Sequence, residues 1–268
     1  MQLFMPRRSL VRDLGRGRCV LLPSDPGQER MIELMRLFNP AARPASAGRI
    51  SADGRHISLT RPLRIDAETA SRAQTPPGLS TVYFVQITVA SPRLTPSAVA
   101  QGLKELRETA TLLIGGLAAR LGGKAFPESA RLREPLHADV YSPRAVTTGE
   151  LSALLEPYAP GLAPAEGPWT ADGVTTLHSD RGQLDIEYWP LGIPLMTMDP
   201  PAALGGLRDQ RQQLNVTVIR SAHPAADADP GTARVVAGAA LAVAAATGGS
   251  CVDIFGFRFE HPDDLIIR

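Results

Sequence analysis

A strand, an amphipathic helix, a pair of glycines and another strand occur twice in this chain, and the two occurrences align at a constant offset of 126 residues. LAARLGGKAF at 117–126 stands against VAAATGGSCV at 243–252. In the first occurrence, VYFVQITVA at 82–90 is dense in β-branched and aromatic residues and predicts a strand. Val99, Leu103, Leu106, Ala110, Leu113, Leu117 and Leu121 then recur at steps of three and four, the apolar stripe of a helix opened by Thr95-Pro96. Gly122-Gly123 closes it, because glycine reaches the left-handed C-cap without steric cost. The second occurrence runs from LNVTVI at 214–219, through an Ala/Val-rich helix over 231–246 and Gly248-Gly249, to a strand over 251–259. A βαβ unit cannot cover its own apolar sheet face, so two units packed around one sheet are expected. The expected fold class is α+β: a mixed sheet with two long helices from a duplicated βαβ unit of ferredoxin-like order.

Between the repeats, Ala138–Tyr141 predicts a short strand, and Thr148–Leu155 a short helix ended by Glu156-Pro157. The Pro- and Gly-rich stretch 158–168 predicts a loop. The runs at 174–177 and 183–189, each preceded by a turn signal, are expected to pair as strands. Leu184, Ile186 and Tyr188 then face the core and leave Asp185 and Glu187 on the opposite face.

Residues 1–80 differ in charge. They hold thirteen arginines and seven acidic residues, net +6, while the rest of the chain holds fifteen basic and twenty acidic residues, net −5. CVLLP at 19–23 predicts a buried strand. A helix capped at Ser24 or Asp25 and striped by Ile32, Leu34, Met35, Leu37 and Phe38 follows, stopped by Asn39-Pro40. Asp53-Gly54 supplies the positive φ angles of a hairpin over 49–60, and the polar stretch 62–80, with Pro76-Pro77-Gly78, predicts a linker. Two domains follow: a small basic α/β module with its linker at 1–80, and the duplicated body at 81–268.

Several classes fall away. Cys19 and Cys251 sit in no metal-ligand or CxxC spacing and predict buried apolar residues. The longest uncharged apolar run, 235–246, is about half the length that spans a bilayer and predicts a buried helix. The basic start lacks a secretory apolar region, so a cytoplasmic protein with no membrane span is expected. Arginine supplies 26 of the 28 basic residues, the mark of a GC-rich bacterial genome. No cofactor and no metal are expected.

GQLDIEYWPLGIP at 182–194, followed by LNVTVI and an Ala-rich helix, resembles an uncharacterised bacterial family of unknown function built on duplicated α+β halves. The resemblance covers 81–268. It implies an α+β body and supplies no catalytic residues.

The residues themselves offer two chemistries. His137-Ala-Asp139 and His178-Ser-Asp180 each put an imidazole and a carboxylate on one face of an extended segment, an arrangement that can orient a base or bind a divalent metal. The pair is similar to the two-histidine phosphoesterases, with Asp139 and Asp180 where that family has Thr or Ser. Asp185 and Glu187 with Asp180 would extend this into a carboxylate row, or form a solvated strand face. Arg7, Arg8, Arg12, Arg16 and Arg18 could contact an anion such as nucleic acid, or form a solvated basic face; Phe4 is the one aromatic among them, so base stacking is not expected. No GxSxG, HExxH, SxxK or phosphate-loop signature is present. The function expected is a non-enzymatic protein-binding or assembly role with another protein as partner. The alternatives are a hydrolase using His137, Asp139, His178 and Asp180, and nucleic-acid binding through the basic start.

Overall fold

The computed structural model describes residues 7–15, 17–52, 56–88, 96–126, 136–164, 174–179, 184–192, 201–222 and 229–265. The protein is α+β, and its chain forms two compact units, Met1–Ala130 and Arg131–Arg268.

The first unit comprises α1 (Arg7–Leu14), β1 (Cys19–Leu22), α2 (Gln28–Phe38), β2 (Arg43–Pro44), β3 (Ile50–Ser51), β4 (Ile57–Leu59), β5 (Leu63–Arg64), α3 (Ala67–Ala73), β6 (Thr81–Ile87), α4 (Pro96–Leu121) and β7 (Lys124–Phe126). The sheet order is β2-β3-β4-β6-β1-β7, with β5 also on β6, and every pairing is antiparallel. All four residues of β1 are buried, as its uninterrupted apolar run demands. Cys19 and Leu21 pack with Leu10 and Leu14 of α1, Ile65, Val82 and the alanines of α3 on one face, while α4 packs across β1 and β6. The Tyr83 hydroxyl donates to Asp25 Oδ1 at 2.6 Å, and the Gly27 amide donates to the same oxygen at 2.9 Å, which pins the β1–α2 loop to β6.

The second unit comprises β8 (His137–Ser142), α5 (Thr148–Leu155), β9 (Leu162–Pro164), β10 (Thr175–Ser179), β11 (Leu184–Trp189), β12 (Asn215–Ser221), α6 (Pro230–Thr247), β13 (Ser250–Asp253) and β14 (Arg258–Phe259), with a run of 3-10 turns over Ala202–Gln213. Its sheet order is β14-β13-β8-β12-β11-β10-β9, again antiparallel throughout. Leu177, Leu184, Ile186, Tyr188 and Ile219 meet α5 and α6 in the core, as the alternation along β11 predicts. Within α6, which is apolar and long enough to cross a membrane by composition, half of the residues are buried against this sheet.

The two sheets follow one plan. Apart from α1, β5 and α3 in the first and β14 in the second, each has a strand, a helix, four antiparallel neighbouring strands, a second helix and a further strand in the same order and the same places. The registers also correspond: Leu21 opposite Val82 matches Tyr141 opposite Val216, Ile50 opposite Leu59 matches Leu177 opposite Ile186, and Pro44 opposite Ile50 matches Pro164 opposite Leu177. Gly122 (φ 69°) and Gly248 (φ 66°) both cap their helices in the left-handed region. The next amides, of Gly123 and Gly249, donate to the carbonyls of Ala118 and Ala244 at 2.8 and 2.9 Å.

Several expectations differ from this structure. The long helices belong to two antiparallel sheets in separate units, not to one mixed sheet. The pair β8–β12 is antiparallel because an odd number of strands, β9 to β11, stands between α5 and β12, and this keeps the sheet from being mixed. The boundary expected at 80/81 falls inside the first unit, since β6 pairs with β1, β4 and β5 across it. The linker expected over 62–80 holds β5 and α3, capped by Asp66 accepting from the Thr69 amide. The loop over 158–168 holds β9, and the strand expected over 251–259 is the hairpin β13–β14. The hairpin over 49–60 forms with Ile50 opposite Leu59, and its turn lies outside the described residues.

Candidate functional site

One face of the second sheet gathers most of the chemistry the sequence singles out. Residues directly opposite in antiparallel strands share a face, and His178, Asp185, Arg220 and His137 are opposite one another in turn across β10, β11, β12 and β8. The neighbouring row holds Thr176, Glu187, Val218 and Asp139. His178 Nδ1 donates to Asp185 Oδ1 at 2.6 Å, and Arg220 Nη1 donates to Glu187 Oε1 at 2.7 Å. His137 Nε2 stands 4.0 Å from Asp139 Oδ1. The His178 and Asp185 side chains are 51% and 40% exposed, while that of His137 is only 7% exposed, so the row descends from solvent into the protein.

Toward β13 the same face turns apolar. Tyr141 and Val252 lie there under Ala203, Leu204 and Leu207 of the 3-10 run, with Leu214. In the first unit the corresponding face is the one that buries Cys19, Leu21 and Val82 under α1, with the alanines of α3 packed alongside.

Sequence spacing pairs His178 with Asp180; the structure pairs it with Asp185, because strand register and not chain proximity chooses the neighbour. Asp180 lies outside the described residues. His137 and His178 occupy one row but are separated by two intervening strands, a backbone distance of about 14 Å at the usual interstrand spacing. They share no ligand or proton between them. Among the described residues, no three His, Cys, Asp or Glu side chains converge on a metal position. Arg220 escapes sequence reasoning, although its place two residues after Val218 on a strand puts it on this face.

The basic start is bound into the fold along part of its length. Leu10 and Leu14 of α1 are buried beside α3, Arg12 Nε lies 3.7 Å from Asp13, and the Arg18 carbonyl accepts the Val85 amide at 2.8 Å. Arg16 and the side chains of Arg7 and Arg8 lie outside the described residues. Counted by structural unit, the charge contrast sharpens to net +8 over 1–130 and net −7 over 131–268. Both thiols are buried, and burial pushes Cys19 and Cys251 up to about 12. A cavity of about 690 Å³ in the first unit is lined by Gly27, Glu29, Arg30, Glu33 and Pro44 among others, and by none of the histidines above.

Comparisons with protein-family models, curated proteins and solved structures find no match.

Proposed function

We propose that the chain is a duplicated α+β protein of the cytoplasm that binds another protein through the polar face of its second sheet, without catalysing a reaction. The observation that carries this reading is the row His178–Asp185–Arg220–His137, with Glu187 and Asp139 beside it. The polar side chains are spread over four strands and paired with one another, and all but His137 are partly exposed, which suits a docking surface better than a cleft that encloses a small molecule. Three carboxylates against one arginine favour a partner with basic residues, since complementary charge steers encounter and rejects wrong partners. The same acidity speaks against nucleic acid on this face.

One observation favours a second reading. The short His178–Asp185 contact is that of a carboxylate orienting an imidazole, the first half of a general-base arrangement in a hydrolase.

The double variant Asp185→Lys/Glu187→Lys separates the two. Under the binding reading, a partner captured at low salt by the wild-type chain is lost by the variant while the melting temperature stays unchanged. Retention of the partner by the variant, or phosphoester hydrolysis abolished by His178→Ala, would overturn it.

A further inference from the structure

We propose that the outer edge of β7 in the first unit takes up an extended acidic segment of a partner protein as an added strand. This goes beyond the sheet-face reading, lies in the other unit and rests on backbone pairing.

The second unit shows what such an edge accepts. There β13, the counterpart of β7, is covered by β14, with Phe259 opposite Cys251 and Arg258 opposite Val252. Phe259 and the following Leu265 are buried in the core beside Ala233 and Val236 of α6, and Arg234 of α6 donates to Asp263 Oδ1 at 2.8 Å. One short segment, 258–265, thus completes the sheet and covers the N-terminal half of the helix.

In the first unit no described strand occupies the place that β14 takes in the second. Among the described residues β7 is the last strand of its sheet, with no strand outside it. Register places Ala125 where Cys251 stands and Phe126 where Val252 stands. Phe126 is 39% exposed, one of only two large apolar side chains exposed to that degree among the described residues. The stripe of α4 is buried at Ala110, Leu113 and Leu117, but its earlier residues Val99, Leu103 and Leu106 are only half-buried. An unpaired edge with an apolar helix surface beside it is the arrangement that strand-adding peptides use: backbone hydrogen bonds supply affinity and alternate side chains supply specificity.

Charge selects the occupant. The segment 258–265 carries Glu260, Asp263 and Asp264 against Arg258, and the edge to be filled carries exposed Lys124 in a unit of net charge +8. The matching segment is therefore an extended peptide with an aromatic residue over Ala125, acidic residues after it and an aliphatic residue six positions on.

The chain's own segment Gly256–Leu265 serves as the probe. As a fluorescein-labelled peptide titrated with the full chain, it should bind saturably and slow hydrogen exchange at 124–126. Phe126→Glu should weaken binding at least tenfold, and so should Leu103→Asp, which sits on the half-buried part of α4 and leaves the sheet intact. The proposal is overturned if a scrambled peptide binds equally, if binding leaves exchange at 124–126 unchanged, or if neither substitution weakens it. Dimerisation of the chain alone that Phe126→Glu abolishes would overturn the assignment to a partner protein and give the edge to a second copy.

Discussion

Gly249 stands directly against the backbone of Tyr141: a Cβ at position 249 would lie 2.6 Å from the Tyr141 carbonyl oxygen and 3.0 Å from the Ser142 Cβ. Gly123 makes the corresponding approach to the Leu21 carbonyl oxygen in the first unit. The second glycine of each pair therefore lets the chain leave its long helix close enough to the central strand to pair with it. Gly249→Ala should lower stability by roughly 1–3 kcal/mol, the usual cost of forcing atoms into a packed site. Gly102→Ala, in the middle of α4 with nothing within 4 Å, should raise it by about 0.5–1 kcal/mol. Urea unfolding of the two variants reads both signs.

His178 and Asp185 form an exposed pair, and exposed pairs contribute about 0–1 kcal/mol. His178→Ala should shift stability by no more than about 0.5 kcal/mol. Zinc or manganese should raise the melting temperature of wild type and variant equally, because a metal stabilises only through preferential binding to the folded state. A metal-dependent rise seen only in the wild type would promote the hydrolase reading.

The Thr147 hydroxyl accepts the Glu150 amide at 3.2 Å while Glu150 Oε2 accepts the Thr147 amide at 2.8 Å, a reciprocal cap on α5. The Thr147 amide and hydroxyl hold the Glu150 carboxyl below the usual range, and the nearby Arg144 guanidinium adds to this. Thr147→Ala should cost about 1 kcal/mol near neutral pH. A carboxylate with a lowered folded-state pKa stabilises above its ordinary unfolded value, and that stabilisation is lost as pH falls through the lowered one. The gap between variant and wild type should accordingly narrow in acid, as thermal melts from pH 7 down to 3 would record.

Both cysteines should resist thiol reagents in the native protein, because the reactive thiolate is suppressed until about pH 12. At pH 8 a disulfide reagent should titrate no thiol before denaturant is added and two afterwards. Fast labelling of Cys19 in the native state would mean that β1 opens locally.

Much of the fold is legible where a pattern is long and local. The stripe of α4, the closing glycines and the alternation Leu184–Ile186–Tyr188 each declare themselves within a few turns or one strand. What escapes is short or set at a distance. β2 and β9 are two and three residues long and contain Pro44 and Pro164, so in sequence they are indistinguishable from loops. α3 hides in a polar stretch whose Pro76-Pro77-Gly78 resembles a linker. The partition into units depends on β1 pairing with β6 some sixty residues away, which no local signal records. The same holds at the site: the partner of His178 is fixed by the β10–β11 register, and so is the separation of the two histidines.

Among the described residues, Pro44 and Pro164 lie on the outermost strand at the same end of each sheet. A proline there has no amide hydrogen to offer an incoming chain, so neither sheet can lengthen in that direction by ordinary pairing. Growth of either sheet into a polymer is thereby blocked on one side by covalent structure. A crowded solution of this protein would have to build any fibril from the opposite edges alone, and substituting both prolines should shorten the lag time of its aggregation.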